Sequence, residues 1–525
     1  MRSVRDVVYG FFRARGMTTM FGNPGSTELP FLSDFPDDFT YVLGLHEGAA
    51  VAMADAYAQV TGRPTVVNLH TAPGVGNAVG ALVNAQANRA PLVVTAGQQV
   101  RAMMRFEALL TNTNAVDLPR PAVKWSYEPP RPQDVPAALA RATYLAMQPP
   151  RGPVFVSLPM DDLAAPADDA ATDLTLARTV TGRAAPDPAA LAGLVERLGG
   201  AENPVLVLGG GVDASGGLDA AVALAEKLRV PVWRAPEPGR LGFPEDHPYF
   251  RGALPNAIAP LSAKLAGHDL IVVIGAAVFK YYPYMPGEFL PAGASLVQVT
   301  DDVDEAARAP MGDAIVADPR LTLERLAELV PPADRPEPAG RGAPRTPAYD
   351  DGPMAADAVF ATVAGELPDD AVIVNESPSN LAAHRDQIRP GRPASFFFTT
   401  SGGLGFGLPG AVGAALAAPD RRVLAVVGDG SAQYAITALW TAARYRVPVT
   451  VLVLVNAEYK ILKWFGKREN VTGVPGLDLG GIDHLALARG YGVDATRAQT
   501  PDSLRGALKT AFASPGPRLI EVPIA

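Results

Sequence analysis

Short, nearly unbroken apolar runs recur along the chain, among them Thr65 to Leu69, Val205 to Leu208, Ile271 to Gly275, Val423 to Val427 and Val449 to Val455. Runs of this length predict strands buried on both faces. Stretches of helical period lie between them. Arg2 to Arg15 sets Val4, Val7, Val8, Phe11 and Phe12 on one face, an amphipathic helix leading into a strand over Thr18 to Phe21. Gly48 to Gln59 reads as a helix opened by Glu47. Residues 432–445 read as another, with Ala438, Leu439 and Ala442 on one face and Pro448 as its stop. Alternation of this kind predicts α/β domains with mainly parallel, doubly wound sheets. Two stretches lack a sustained apolar period: residues 161–189, rich in Ala, Asp and Pro, and residues 331–353, with Pro-Pro, Pro-Glu-Pro and Gly-Arg-Gly-Ala-Pro. They predict linkers and set domain limits of 1–165, 185–332 and 353–525. A length of 525 residues fits about three domains.

Composition narrows the chemistry. A formal charge of −9 argues against a nucleic-acid surface. With no cysteine, disulfides, thiolate nucleophiles and zinc-thiolate sites are excluded. The first helix has no continuous apolar core or cleavage site, and no run reaches membrane-spanning length. The expectation is a soluble, cytoplasmic protein.

The strongest local signal is Gly428-Asp429-Gly430 with Asn456 26 positions later, each group at the end of a predicted buried strand. A 14-residue helix spans roughly 21 Å and a seven-residue strand roughly 23 Å. The intervening helix therefore carries the chain back, and the second strand runs parallel to the first. Asp429 and Asn456 then meet at the carboxyl edge of one sheet. A carboxylate and an amide oxygen are hard ligands suited to Mg²⁺, which keeps its other positions for phosphate oxygens and water. The pattern predicts a metal-diphosphate site. By contrast, Gly209-Gly210-Gly211 lacks the third glycine of a dinucleotide fingerprint and reads as a structural turn.

Three strands of the first segment also end on polar residues. Thr18 to Phe21 leads into Gly22-Asn23-Pro24-Gly25-Ser26, Tyr41 to Leu45 into His46-Glu47, and Thr65 to Leu69 into His70. Parallel strands bring these endings to one edge. Each has an ordinary alternative: Glu47 as a helix-start acid, His70 as a loop histidine, Ser26 as a helix N-cap before Glu28.

With these motifs in hand the chain resembles thiamine-diphosphate-dependent 2-oxo acid decarboxylases, nearest to the benzoylformate decarboxylase type. The resemblance is collinear over essentially the whole chain. It is densest at Gly22 to Glu28, Asn68-Leu69-His70, Thr95 to Gln99, Val123 to Glu128, Ala306 to Asp313 and Gly402 to Phe406. It implies a thiamine-diphosphate-binding fold in the first and third domains, a Rossmann-like central domain, and a homotetramer of dimers with each cofactor between subunits. Glu47 matches the glutamate that hydrogen-bonds the aminopyrimidine and assists removal of the thiazolium proton, a contribution typically worth about 10²–10⁴-fold. His70 matches the residue that polarises the ketone or transfers protons, and Ser26 a partner of the substrate carboxylate. Asp429, Asn456 and the main-chain carbonyl of Glu458 match the ligands of Mg²⁺ (or Ca²⁺). Leu404 matches the residue that holds the cofactor bent, and Ser431 a partner of the diphosphate. Asn23, Pro24, Gly25, Asn77, Pro378, Ser379, Gly402, Gly428, Gly430, Tyr434, Tyr459, Lys460 and Ile461 complete the expected cofactor surround. Tyr282, Pro378, Lys460, Ile461, Phe465 and Leu109 form the expected substrate pocket.

Four departures bear on specificity. The signature ends Val455-Asn456 where two asparagines are usual. Tyr282 stands where the benzoylformate type has a second catalytic histidine, and a phenol with a pKa near 10 is a poorer proton relay. Pro378 replaces a threonine and removes a hydroxyl and an N–H donor. Lys460 and Ile461 replace small residues, so the pocket narrows, while Lys460 either draws in an anion or reaches solvent. Trp464 reads as core packing. The expected activity is non-oxidative decarboxylation of a benzoylformate-like, or smaller aliphatic, 2-oxo acid, with possible ligation of aldehydes. An acetolactate-synthase-like carboligase and a catalytically silent cofactor binder are the alternatives.

Overall fold

The computed structural model of the protein describes residues 2–236, 239–348 and 352–525, so 349–351 of the second expected linker lie outside the described residues. The strands of the first segment are β1 (Thr19–Gly22), β2 (Thr40–Leu43), β3 (Thr65–Leu69), β4 (Leu92–Gln98), β5 (Ser126–Tyr127) and β6 (Val154–Pro159). They form one sheet in the order β2-β1-β3-β4-β6-β5, parallel throughout. The order reverses at β1, which opens a crevice outside the carboxyl ends of β1 and β3. The helix Val4–Ala14 buries Val4, Val7, Val8, Phe11 and Phe12, the face its period predicts.

The second segment contributes β7 (Val205–Leu208), β8 (Val232–Arg234), β9 (Phe250–Ala253), β10 (Leu270–Ile274), β11 (Ser295–Thr300) and β12 (Asp313–Val316), in the order β12-β11-β10-β7-β8-β9. This sheet is also parallel throughout. The third segment supplies β13 (Val372–Glu376), β14 (Phe396–Phe398), β15 (Val423–Gly428), β16 (Val449–Val455), β17 (Asp494–Arg497) and β18 (Arg518–Pro523). Within it β13-β15-β16-β18-β17 run side by side and parallel.

The chain forms two compact units. One comprises Met1–Thr181, Ala348–Leu381 and Thr399–Ala525, and so holds both the first and the third sheets; the other comprises Gly182–Pro347 and Ala382–Phe398, β14 included. The joint inside the first unit is a pair of helices made mostly of small residues, Glu47–Thr61 and Gly407–Ala417. A Cβ on Gly413 would stand 1.9 Å from the Met53 carbonyl oxygen, so only glycine permits this approach.

Two expectations need correction. Residues 432–445 are not one helix: Asp429–Gln433 and Ala438–Arg444 are separate helices with a turn between them. Ile436 and Thr437 in that turn are β-branched, hence weak helix formers, and Tyr434 is engaged in a hydrogen bond to Tyr459. The stretch 161–189 is not bare chain either. It holds a short 3₁₀ turn Asp162–Ala164 and the helix Asp169–Ala177, and the next helix, Pro188–Gly200, starts inside it. From 331 to 353 the described residues form no helix or strand, as expected.

Candidate active site

Two clusters of the expected residues form within the first unit. The first lies at the carboxyl ends of β1, β2 and β3. Glu47 opens the helix Glu47–Thr61, where its charge meets the positive end of the helix dipole. Its Oε1 accepts from Asn23 Nδ2 at 3.3 Å and its Oε2 from Asn77 Nδ2 at 3.0 Å. The carboxylate is thus buried yet fixed in direction, with acceptor capacity left over. His46 caps the same helix, its Nδ1 accepting from Gly48 N at 3.0 Å.

His70 precedes the helix Thr71–Ala87, and its Nδ1 lies 2.8 Å from Glu28 Oε2 and 3.1 Å from Thr27 Oγ1. A carboxylate only accepts, so Nδ1 carries the proton and Nε2 is left for exchange. Glu28 is itself held by Gly25 N at 2.8 Å, Gly97 N at 2.7 Å, Thr71 N at 3.4 Å and Thr27 Oγ1 at 2.7 Å. Sequence reasoning used Glu28 only as a marker beside Ser26. The available signal was its place three residues after Gly25, the capping-box spacing. Here Gly25, not Ser26, is the N-cap, so the N-cap reading of Ser26 is overturned. The Ser26 residue is exposed at the start of the turn, next to Pro24.

The second cluster joins the ends of β15 and β16. Asp429 Oδ1 accepts from Gly430 N at 2.9 Å and its Oδ2 from Ala457 N at 2.6 Å. Asn456 Oδ1 accepts from Glu458 N at 3.1 Å. Both side chains keep acceptor capacity beyond these bonds, and Ser431 and Gly428 lie in the same turn. Gly430 is required where it stands, since a Cβ would come within 2.7 Å of the Tyr459 ring and 2.8 Å of Leu479. A second segment is tied to this side: Tyr459 N donates to Leu477 O at 2.8 Å and Leu479 N to Ala457 O at 2.7 Å. Lys463 pairs with both Glu458 and Asp478. Burial, and after it the bond to Tyr434, raises the Tyr459 phenol above its ordinary pKa. Among the described residues no three His, Cys, Asp or Glu side chains converge as a metal site. One carboxylate, one amide oxygen and one main-chain carbonyl at a strand edge fit a small hard cation that keeps positions for phosphate and water.

The remaining predicted residues distribute as follows. Pro378 and Ser379 begin the turn Pro378–Asn380 after β13, in contact with the helix Lys460–Arg468 that carries Ile461 and Phe465. The half-buried Lys460 donates its Nζ to the main-chain oxygen of Ala525 at 2.6 Å, in an exposed bond. Trp464 is not core packing. It is 49% exposed and meets Phe465 edge-on at 4.8 Å, because its helix buries none of its residues. Leu109 is 85% exposed on its loop. Gly402 and Leu404 belong to a loop held by Glu376, which sequence reasoning left without a role. Its carboxylate accepts from Gly405 N at 2.5 Å and from Gly407 N. Tyr282 lies in the second unit, its N–H donating to Asn256 O at 2.8 Å. There too the turn Gly209 to Gly211 is spent on its own chain: Gly209 N donates to Ile274 O at 3.0 Å and Gly211 N to Gly275 O at 2.9 Å. The structural reading of that turn stands.

Comparison with known proteins agrees with this arrangement. The thiamine pyrophosphate enzyme N-terminal, central and C-terminal domain models match residues 2–116, 191–326 and 379–522. A benzoylformate decarboxylase of Pseudomonas aeruginosa is 54% identical, covering 100% of this chain and 99% of that protein. A thiamine diphosphate-dependent 4-hydroxybenzoylformate decarboxylase from Rhodococcus jostii RHA1 superposes with a TM-score of 0.98 at 51% identity, over 100% of this chain and 99% of the other. A putative acetolactate synthase large subunit of Mycobacterium tuberculosis is more distant, at 33% identity over 97% of this chain and 96% of its own. The chain belongs to the thiamine pyrophosphate enzyme family and, within it, to the 2-oxo acid decarboxylases of the benzoylformate decarboxylase type.

Proposed function

We propose that this protein decarboxylates an aromatic 2-oxo acid of the benzoylformate class to the aldehyde and CO₂, one proton being taken up per turnover. The observation that carries the reading is the pairing of a directed carboxylate, Glu47 between Asn23 and Asn77, with an imidazole whose Nδ1 is locked by Glu28. When bound, thiamine diphosphate supplies the nucleophilic carbon and the electron sink for loss of CO₂. Glu47 holds the aminopyrimidine nitrogen and the proton on it. His70 presents Nε2 to the ketone oxygen, donating as negative charge develops there, and the Ser26 hydroxyl orients the substrate carboxylate. Asp429, Asn456 and the Glu458 carbonyl hold Mg²⁺ against the diphosphate, with Ser431 and Gly428 beside it. Leu404 keeps the cofactor bent. Residues 1–165 serve as the pyrimidine-side domain, 185–332 as the central domain and 353–525 as the diphosphate-side domain. Two copies complete each site within a cytoplasmic tetramer, one giving the Glu47 cluster and the other the Asp429 cluster.

Substrate choice rests on Ile461 and Phe465, beside the Pro378 turn. The relatives named above favour an aryl group; Ile461 trims its room rather than excluding it. Changing one or two methyl groups in such a pocket shifts preference by roughly 10–200-fold. A CO₂-release screen over benzoylformate, 4-hydroxybenzoylformate, pyruvate and longer 2-oxo acids tests this. We expect the aryl acids to have the highest kcat/KM, and Ile461→Ala to raise the aryl-to-pyruvate ratio by about tenfold. Preference for pyruvate, unchanged in the variant, contradicts the assignment. The acetolactate-synthase alternative is disfavoured, because the relative of that name is 33% identical where the benzoylformate decarboxylase is 54% identical.

A further inference from the structure

Asn84 is a buried amide near the end of the helix Thr71–Ala87, only 5% exposed, where a polar side chain is costly unless it is satisfied. All its bonds go to one distant loop. Its Oδ1 accepts from Thr399 Oγ1 at 3.3 Å and from Ser401 Oγ, and its Nδ2 donates to Gly403 O at 3.3 Å. Ser401 Oγ in turn accepts from Gly403 N at 3.0 Å. One helical turn on, Asn88 Oδ1 accepts from Thr400 N and from Thr400 Oγ1, both at 3.2 Å. Asn88 is itself braced by Asp55, at 2.8 Å from its Nδ2, and Gln59 braces Asp55 at 2.8 Å. On the far side of the loop Glu376 takes the N–H groups of Gly405 and Gly407.

We propose that Asn84 is a positioning residue for the cofactor: with Glu376 as the opposing jaw, it fixes Gly403 and Gly405, and so presents Leu404 in the bent-cofactor geometry before thiamine diphosphate arrives. Leu404 is the one residue between the two anchors, and its apolar side chain makes no polar contact that would fix it. Holding a binding loop in its bound form strengthens binding by removing the cost of ordering it at the moment of association. The two helices behind the Asn84 side of the clamp also present Glu47 and His70 at their opposite ends, so each chain braces the Leu404 loop from the same two helices that present its proton-handling groups.

The inference rests on the role given to Leu404 under the proposed function, and a double-mutant cycle separates the two. The dissociation constant of thiamine diphosphate is measured calorimetrically on the full-length protein with Mg²⁺ present, for Asn84→Ala, Asn84→Asp, Leu404→Ala and the double variant. Asn84→Ala is expected to weaken binding about tenfold. Asn84→Asp keeps the acceptor for Thr399 and Ser401 but removes the donor to Gly403 O, and is expected to weaken binding to a similar extent. In the Leu404→Ala background Asn84→Ala should add nothing, because its effect runs through Leu404. Additive losses, as a purely structural staple would give, overturn the proposal, as does unchanged binding in Asn84→Ala while Leu404→Ala weakens it. Unchanged binding in Leu404→Ala itself overturns the reading of Leu404. If Asn84→Ala does not fold, Ser401→Ala removes one of its bonds from the loop side, together with the acceptor for Gly403 N, and is expected to show the same dependence on Leu404.

Discussion

The histidine at position 70 is ordinary in sequence and specialised in structure. Its identity was legible because it ends a buried strand; its tautomer was not, since that depends on Glu28, 42 residues away. The same holds for Asp429, which the Gly-Asp-Gly turn announces. The bond from Ala457 N, which ties it to the next strand end, appears only in the fold. Residue types at strand ends reveal what chemistry is available, whereas partners from other elements fix direction and proton position. Glu28 therefore carries a prediction. Glu28→Gln replaces an acceptor-only carboxylate by an amide that can also donate to Nδ1, so the ring loses its fixed direction and kcat should fall about tenfold to a hundredfold. A rate like that of the parent chain contradicts the role of Glu28.

Strands were the most legible elements, because a parallel strand covered on both faces needs apolar residues at nearly every position. Helix continuity was less so. The break at Tyr434 to Thr437 is invisible to apolar spacing, because Ala438, Leu439 and Ala442 lie on one face whether or not the preceding turn is helical. The loop clamp was hidden for a different reason: Glu376 looks like a strand-terminal acid, and only the folded chain shows it accepting from Gly405 N in the loop and from Gly407 N at the start of the helix Gly407–Ala417. Burial pushes this carboxyl up to about 7, although the N–H groups of Gly407, Gly405 and Phe406 act to lower it. Its folded pKa lies above the unfolded value near 4.5, so the native state binds more protons between those limits, and stability falls as pH rises from about 4.5 to 7. Glu376→Gln removes this contribution. Denaturant unfolding from pH 5 to pH 7 should show a shallower decline in the variant; an identical slope contradicts the assignment.

At the scale of the molecule, three α/β segments were legible from alternation alone, but their grouping was not. The helices Glu47–Thr61 and Gly407–Ala417 are made mostly of small residues. Their purpose is close approach, with Gly413 against the Met53 carbonyl, and this joins the first and third sheets in one unit. Within that unit the Glu47 and Asp429 clusters supply the two kinds of group the chemistry needs, one to handle protons and one to hold metal and diphosphate. The most direct test of the account is release of CO₂ from benzoylformate with thiamine diphosphate and Mg²⁺ present, by the parent chain and by Glu47→Gln, with cofactor binding measured on both. The account predicts steady CO₂ and aldehyde formation by the parent chain. It also predicts a loss of about 10²–10⁴-fold in the variant, with the cofactor still bound. No CO₂ from the cofactor-loaded parent chain, or near-parental turnover in Glu47→Gln, would contradict it.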